Sequence, residues 1–459
     1  MEDIQRPFYD IFPPRMVDIS TDSFQYIDYK DINLNNANGV NDYRIEINDR
    51  ISWFLLDKSY FEYKFSLADA NGAQLTANDN VSLQNNAVGL MQRYEFLLDD
   101  KIVDYVDDAH LCNTVQNLVY FSDEHSKTVA SQQLWYPDSA DTTNSDYIIP
   151  IAGGINVGLY GDGIDSVNLG HRKRRQMLDR TIFSVQIPLR NTFGLLKSLD
   201  YVIKGIKLGV RLVRNSNSNL ILGTNAAGNP FPNGQVIMHE VKWWIPRVKP
   251  NASVLPSLES KLTGASNYIV DFIDVQSYRS NLVNEQAVNR LFQIRTKRQR
   301  PVKVFIVFQN QNRVTGNASF VKRVFDTVNL SKMYLTLNGV LKYPEREYNV
   351  NFANAGAGSI NDYARVYSEF LRCGLRDHDI DQGTVVTFDM FKSLYPIFCF
   401  DLSERDEFNV VSESALIDIY WSTTAAPATP YYMYVFIESE RKLEFGASEG
   451  QVKLIGMPM

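Results

Sequence analysis

Hydrophobic and polar residues alternate along many short segments of this chain, which is the period of a strand with one buried face. In residues 43–47, the apolar side chains Tyr43, Ile45 and Ile47 are separated by charged ones. Strand-like segments recur along the whole chain, at 24–29, 43–47, 60–67, 94–100, 183–189, 206–213, 236–245, 268–273, 291–294, 302–308, 333–339, 398–402, 415–420 and 431–437. The pattern predicts an all-β fold.

Two segments have helical periodicity instead. The first places on one face Leu111, Val115, Leu118 and Val119. The second places on one face Ile360, Tyr363, Tyr367, Phe370 and Leu371. Asp107 and Asp108 lie near the start of the first helix, where the helix dipole favours acidic residues. Ser359 is the expected N-cap of the second helix, and Gly374 is its expected end.

The order of these elements occurs twice, although the two copies share little sequence identity. Each copy has three strands, a turn, an acidic segment, a helix and then the closing strands, which gives about eight strands. That number is typical of a jelly roll, a sandwich of two antiparallel sheets. We therefore predict two tandem eight-stranded jelly-roll β-sandwiches, a double jelly roll, with a few short helical inserts.

Pro246 and Pro250 predict that segment 246–251 is an extended linker between the halves. We place an N-terminal extended arm at 1–20, the first jelly roll at 21–250 and the second at 251–459. The arm contains Pro7, Pro13 and Pro14 and can lie extended in a groove. Two interpretations stay open: an arm that reaches a neighbouring molecule, and a strand or coil packed on its own domain.

Composition narrows the class of protein. A length of 459 residues suggests two domains, and the 25 Tyr and 26 Phe suit pleated sheets. The net charge of -7 opposes a role in coating nucleic acid.

Cys112, Cys373 and Cys399 lack the spacing of a zinc site, so we expect buried thiols. Neither a signal peptide nor an apolar run of about 18 residues is present, so we expect a protein made and used in the cytosol or nucleus.

Three segments carry a resemblance to a known family: Asp57–Gly72, Val81 with Asn85-Asn86, and Tyr94–Asp100 with its turn. They resemble double jelly-roll major capsid proteins of the adintovirus, Polinton-like virus and virophage lineage of double-stranded DNA viruses. The resemblance implies a homotrimer that forms a pseudo-hexameric capsomer and tiles an icosahedral shell, with no enzymatic activity. Its expected location is the virion, after assembly in the host cytoplasm or nucleus.

The same resemblance implies the partners of the chain. These are neighbouring capsomers, penton proteins and minor capsid proteins, with at most weak contact with packaged DNA or an inner membrane. Residues 130–176 form the longest segment without clear periodicity, including Trp135-Tyr136-Pro137, and loops of such length usually have a function. We expect this segment in the crown of the trimer or wrapped around a neighbouring subunit.

No combination of residues predicts catalysis. The five histidines are dispersed, at His110, His125, His171, His239 and His378, without a metalloprotease or nucleophile-elbow motif. The glycine-rich segment 153–163 lacks the Lys-Ser or Lys-Thr of a phosphate-binding loop. Residues 377–383 resemble a calcium loop, but Phe388 stands where a glutamate ligand belongs. We therefore predict no catalytic, cofactor-binding or metal-binding residue.

Two basic clusters, 171–175 and 295–300, have two interpretations. In the first interpretation, both clusters are inward-facing patches that contact packaged DNA, or the first cluster is a nuclear-import signal. Alternatively, they are solvated loops or inter-subunit ion pairs, which we favour.

Two other functions fit the same fold. One is a scaffold that lines the membrane of immature virions. The other is a carbohydrate-binding jelly-roll module that uses Trp135, Trp243 and Trp244 as exposed aromatics. The position of Trp243 and Trp244 in mid-strand argues against the module. We expect one in the core and the other against the neighbouring jelly roll or another subunit.

Overall fold

A computed structural model describes residues 21–31, 41–73, 75, 79–84, 86–143, 151–152, 155–156, 167–178, 182–224, 231, 234–264, 268–296, 300–316, 318–339, 341–350, 362–375, 383–403, 415–445 and 452–455. The predicted arm 1–20, the glycines of 153–163 and the acidic residues of 377–382 lie outside these ranges, so the predictions made for them stay predictions.

The strands of the first half are β1 (Thr21–Lys30), β2 (Asp42–Ile47), β3 (Trp53–Leu55), β4 (Tyr60–Ala68), β5 (Asn80–Leu83), β6 (Met91–Leu98), β7 (Lys101–Val106), β8 (Ile151–Ala152), β9 (Ile155–Asn156), β10 (Phe183–Pro188), β11 (Val202–Ile203), β12 (Leu208–Arg214), β13 (Ile221–Thr224) and β14 (Gln235–Pro250). The helices are α1 (Ala109–Tyr120), α2 (Asp123–Lys127), α3 (Leu169–Met177), α4 (Gly194–Ser198) and α5 (Asn217–Leu220). Short 3-10 turns lie at Leu56–Lys58, Ala87–Leu90, Val129–Gln133 and Leu189–Asn191.

The strands that follow are β15 (Tyr268–Arg279), β16 (Arg290–Arg295), β17 (Arg300–Asn310), β18 (Leu330–Leu337), β19 (Leu341–Asn349), β20 (Phe398–Asp401), β21 (Leu416–Thr423), β22 (Tyr431–Phe445) and β23 (Val452–Ile455). The helices are α6 (Leu255–Gly264), α7 (Gln311–Thr315), α8 (Tyr363–Cys373) and α9 (Phe388–Ser393).

The two halves have the same sheet topology. In the first half, β10, β4, β14 and β1 lie side by side in one sheet, and β2, β12, β6 and β7 form the other. In the second half the corresponding orders are β20, β17, β22, β15 and β16, β21, β18, β19. Neighbouring strands are antiparallel throughout. The predicted double jelly roll of eight strands per half is confirmed.

Aromatic side chains fill the space between the sheets of each sandwich. In the first half, the buried Trp243 lies 6.1 Å from Phe96 of the opposite sheet, measured between ring centroids. In the second half, the indole N–H of Trp421 donates to the hydroxyl of Tyr431 at 3.0 Å. Each fully buried large apolar side chain contributes about 1.5–3 kcal/mol to folding, so these inward positions hold each pair of sheets together.

The predicted linker is wrong as a separate segment. Residues 246–250 continue strand β14 and pair with β1, from Tyr26 opposite Pro246 to Thr21 opposite Pro250. Proline fits there because its fixed φ is close to that of an extended strand. The described connection between the halves is 251–264, which contains α6.

Both predicted helices are present, with differences at their starts. Helix α1 is preceded by Asp108, which has a left-handed φ of 46° and makes no side-chain cap. The Asp108 carboxylate instead accepts a hydrogen bond from Ser277 Oγ of the second half at 3.3 Å. Helix α8 begins at Tyr363 after Asp362, while the predicted N-cap Ser359 lies outside the described residues.

Candidate functional site

The described residues contain no group of three or more His, Cys, Asp and Glu side chains placed as metal ligands. Within the same residues, no helix combines the length and the apolarity that a bilayer crossing requires. Burial lowers the pKa of His110 and His171 well below its usual value, so both are neutral at pH 7. The Nε2 of His239 lies 2.9 Å from Ser66 Oγ. The best candidate for a functional region is therefore the contact between the two sandwiches, which we call the seam.

Helix α1 joins the first half to the outward side of β22 and β17. The carboxylate of Glu438 accepts hydrogen bonds from the Tyr120 hydroxyl at 2.6 Å and from Gln116 Nε2 at 3.2 Å. The ammonium of Lys303 donates to the Tyr120 hydroxyl at 3.4 Å, and Phe305 meets the Tyr120 ring edge-to-face with centroids 6.3 Å apart. Burial raises the pKa of Glu438, whereas the hydrogen bonds from Tyr120 and Gln116 lower it. The two polar side chains of α1 therefore favour the charged form of this buried carboxylate.

A second group of buried ionisable residues lies where β7 faces β15. Arg441 Nη1 donates to Asp274 Oδ2 at 3.0 Å, and both side chains are buried. Asp104 Oδ2 accepts from the backbone N–H of Leu195 at 2.9 Å. Burial, together with the nearby charge of Asp274, raises the pKa of Asp104 to about 8, so Asp104 carries a proton at neutral pH. Protonation removes one of two negative charges beside a single guanidinium.

A cleft of about 560 Å³ opens along this seam. Both halves line it, with Asp104, Tyr120 and Lys197 on one side and Ile273, Lys303 and Glu438 on the other. Tyr120 already binds Lys303 and Glu438 across the seam, so the geometry supports holding two sandwiches in a fixed orientation.

The described ends of the long segment 130–176 pack within the chain. Trp135 is buried, and its indole N–H donates to Ser126 Oγ at 3.3 Å. The backbone carbonyl of Asp138 accepts from the Tyr395 hydroxyl of the second half at 2.8 Å. The guanidinium of Arg313, in the second half, donates two hydrogen bonds of 2.6 and 2.8 Å to the carboxylate of Asp141. The prediction that this segment reaches the trimer crown or a neighbouring subunit is not tested by these contacts.

The first predicted basic cluster is a helix, not a solvated loop. Two of its five residues, His171 and Arg174, are fully buried in α3. Arg174 donates to Asp138 Oδ1 at 2.5 Å and to the carbonyl of Leu83 at 2.8 Å, while His171 Nδ1 lies 2.6 Å from Ser82 Oγ. Buried charges need partners, and here those partners come from distant parts of the chain, which hid the burial from local sequence patterns.

The second basic cluster is described only at its ends, because residues 297–299 lie outside the described ranges. Arg295 is exposed, whereas Thr296 is buried and its hydroxyl donates to the carbonyl of Ala415 at 3.1 Å. Arg300 donates to the carbonyl of Ser403 at 3.2 Å. The described ends therefore lie at the end of β16 and the start of β17, in the two sheets of the second half, and the role of the cluster stays a prediction.

The tryptophans do not form an exposed platform. Trp135 and Trp243 are fully buried, so neither can stack on a sugar. Trp244 is partly exposed, and its indole N–H donates to Glu62 Oε2 at 2.7 Å. The expectation that one of the pair Trp243 and Trp244 packs in the core is confirmed, whereas Trp135 as an exposed sugar platform is wrong. All three cysteines are buried free thiols.

Residues 166–436, more than half of the chain, match the model of the double jelly roll-like domain family. No curated protein matches the chain. A chain of the Sputnik virophage, solved by cryo-EM, superposes with a TM-score of 0.59 and 12% identity and covers 100% of this chain and 94% of its own length. A chain of the PBCV-1 virus capsid gives 0.53 and 9%, covering 95% and 97%. At such low identities, these likenesses show the fold.

Proposed function

Because the chain belongs to the double jelly roll-like family, we propose that it is a major capsid protein whose homotrimers form pseudo-hexameric capsomers of an icosahedral virus shell. The observation that carries the proposal is the duplicated topology: four corresponding strands in each of two sheets occur in the same order in both halves of the chain. Three such chains present six similar flanks, which suits repeated heterologous contacts in a flat lattice.

The buried seam supports this role. A capsomer needs its two sandwiches in a fixed orientation, and contacts such as Glu438 with Tyr120 and Arg313 with Asp141 provide one. In the proposed division of the chain, 21–250 and 251–459 are the two jelly rolls. The segment 1–20 is an arm that binds neighbouring capsomers, penton proteins or minor capsid proteins.

The proposal extends to chemistry, place and lineage. The protein is structural and has no enzymatic activity or cofactor. It acts in the virion after assembly in the host cytoplasm or nucleus. Its contact with packaged DNA or an inner membrane is weak, since the net charge is -7 and the basic residue Arg174 is buried. The virus belongs to the adintovirus, Polinton-like virus and virophage lineage.

Size-exclusion chromatography with mass measurement tests the assembly. The expected particle has three times the chain mass of 52.5 kDa, and a monomer at micromolar concentration would contradict the proposal. Mass spectrometry of purified virions separates capsid from scaffold, because a capsid protein is their dominant component and a discarded scaffold is missing.

A further inference from the structure

In the large sheet of the second half, the central parts of β17 and β22 are buried on both sides. Its inward residues face the sandwich core, and its outward residues Phe305, Tyr434 and Phe436 are also buried, at 0%, 4% and 0% exposure. The first half of the same chain covers this outward side, since α1 places Tyr120 against Phe305 and Glu438. The outward side of one sandwich is therefore a docking side within the chain.

The matching side of the first half has no cover among the described residues. By topology, β4 corresponds to β17 and β14 corresponds to β22. The outward residues Tyr60 of β4 and Trp244 of β14 are only half-buried. On the edge strand β1, Phe24 and Tyr26 are 46% and 38% exposed. Of these two corresponding sides, the one in the second half is covered by the first half, and the one in the first half has exposed aromatic side chains.

These four residues form a continuous aromatic strip, defined as Phe24, Tyr26, Tyr60 and Trp244. Ring centroids are 5.5 Å apart for Phe24 and Tyr26, 5.6 Å for Tyr26 and Tyr60, and 6.2 Å for Tyr60 and Trp244. Contiguous exposed aromatics are enriched at protein interfaces, where they bury large areas at low entropic cost.

Charged groups beside the strip are ordered. Glu240 lies 3.0 Å from Lys30, 2.8 Å from Lys64 and 3.0 Å from Lys242. Glu62 accepts the hydrogen bond from Trp244. The strip therefore has a border of paired charges, the arrangement of an apolar centre with a polar rim.

Helix α8 of the second half differs from its counterpart in the first half in the exposure of its side chains. All residues of its counterpart α1 are buried except Gln116 and Tyr120, and these two contact the second half. Helix α8 instead exposes Ala364, Ser368 and Arg372, which lie on one face because they are four residues apart.

We propose that the aromatic strip binds a second copy of this chain, which contacts it with β19 and α8, the counterparts of β7 and α1. The contact repeats between chains the packing that joins the two halves within a chain, so three copies close a ring of six sandwiches. The inference rests on the proposed function and adds the two surfaces that carry the trimer.

The test compares the oligomeric mass of the full-length chain with that of the double variant Phe24→Glu with Tyr26→Glu. Both side chains are exposed, so folding is retained and checked by circular dichroism and melting temperature. The variant is expected to be monomeric at a concentration at which the unaltered chain is trimeric. The matched control is Ile51→Glu, at an 83% exposed isoleucine outside the strip, which stays trimeric.

A variant of the opposite surface, Ala364→Glu with Ser368→Glu, is also expected to be monomeric. Mixing the two double variants leaves one intact strip and one intact α8, so pairs form and rings do not. Trimers that persist in either variant, or in the mixture, overturn the docking site while the proposed function stands. A monomeric unaltered chain overturns both.

Discussion

At the scale of single residues, the buried carboxyl of Asp104 couples folding to pH. Its pKa is raised from 3.8 to about 8, so the folded chain holds a proton that the unfolded chain has released. Stability from this group is complete below about pH 4 and is lost as pH rises to about 8. We expect Asp104→Asn, which keeps an oxygen acceptor for Leu195 N–H and never ionises, to melt at a higher temperature than the unaltered chain at pH 9.

The control for this prediction is Asp200→Asn, because Asp200 is exposed. Thermal unfolding followed from pH 5 to pH 9 should give the unaltered profile for this control and a flatter one for Asp104→Asn. Parallel profiles for all three proteins would show that Asp104 does not titrate in this range.

Arg174 belongs to a basic cluster in the sequence, but in the fold it forms a buried ion pair with Asp138. We expect Arg174→Met to lower the free energy of unfolding by about 3–5 kcal/mol, because it leaves Asp138 buried without its cation. Lys173→Met removes the same charge from an exposed position, where the ammonium lies 5.6 Å from the centroid of Tyr136, and should cost about 1 kcal/mol or less. Denaturant unfolding measures both values. Equal losses would mean that burial of Arg174 does not matter.

At the scale of elements, close contact between α4 and β15 fixes the seam. A Cβ added to Gly194 would overlap the carbonyl oxygen of Ile273, so the two elements would have to separate. We expect Gly194→Ala to lower the free energy of unfolding by about 1–3 kcal/mol. Gly383→Ala is the matched control, because nothing lies within 4 Å of its added Cβ. A Gly194→Ala chain as stable as the control would contradict this packing.

Most elements could be predicted because their signals are local. Alternation predicted β2 and β4, and a turn was predicted after the third strand of each copy. The turn residues Asp99-Asp100 before β7 and Asn338-Gly339 before β19 have positive φ. Strands β7 and β19 themselves were missed, since the acidic residues after the turns interrupt their apolar pattern. The sequence predicts where strands are, but not which outward sides are covered.

The seam was missed because its partners are far apart in sequence. Asp104 and Asp274 are separated by more than 160 positions, and no short motif joins them. One signal was present: Asp274 occupies the same side of β15 as the buried Val270 and Phe272. A carboxylate at an inward position needs a partner, which indicates a polar contact at the edge of the sheet.

At the scale of the whole molecule, one chain should unfold as a single unit. The outward side of β22 is buried only while the first half covers it, so neither sandwich keeps its surroundings when the other unfolds. We expect calorimetry of the monomeric Phe24→Glu with Tyr26→Glu variant to show one transition, with equal calorimetric and van't Hoff enthalpies. Two resolved transitions would mean that the sandwiches fold independently.

The double-sided burial of β17 and β22 also bears on how the polypeptide is made. Synthesis proceeds from the N-terminus, and early domains fold while later ones are still being translated. The sandwich that contains α1 is complete before β17 emerges. The sheet with apolar side chains on both faces is therefore synthesised next to a folded surface that can cover it. Exchanging the two halves by circular permutation would put Phe305 and Phe436 into water first, and aggregation on the ribosome would be the consequence.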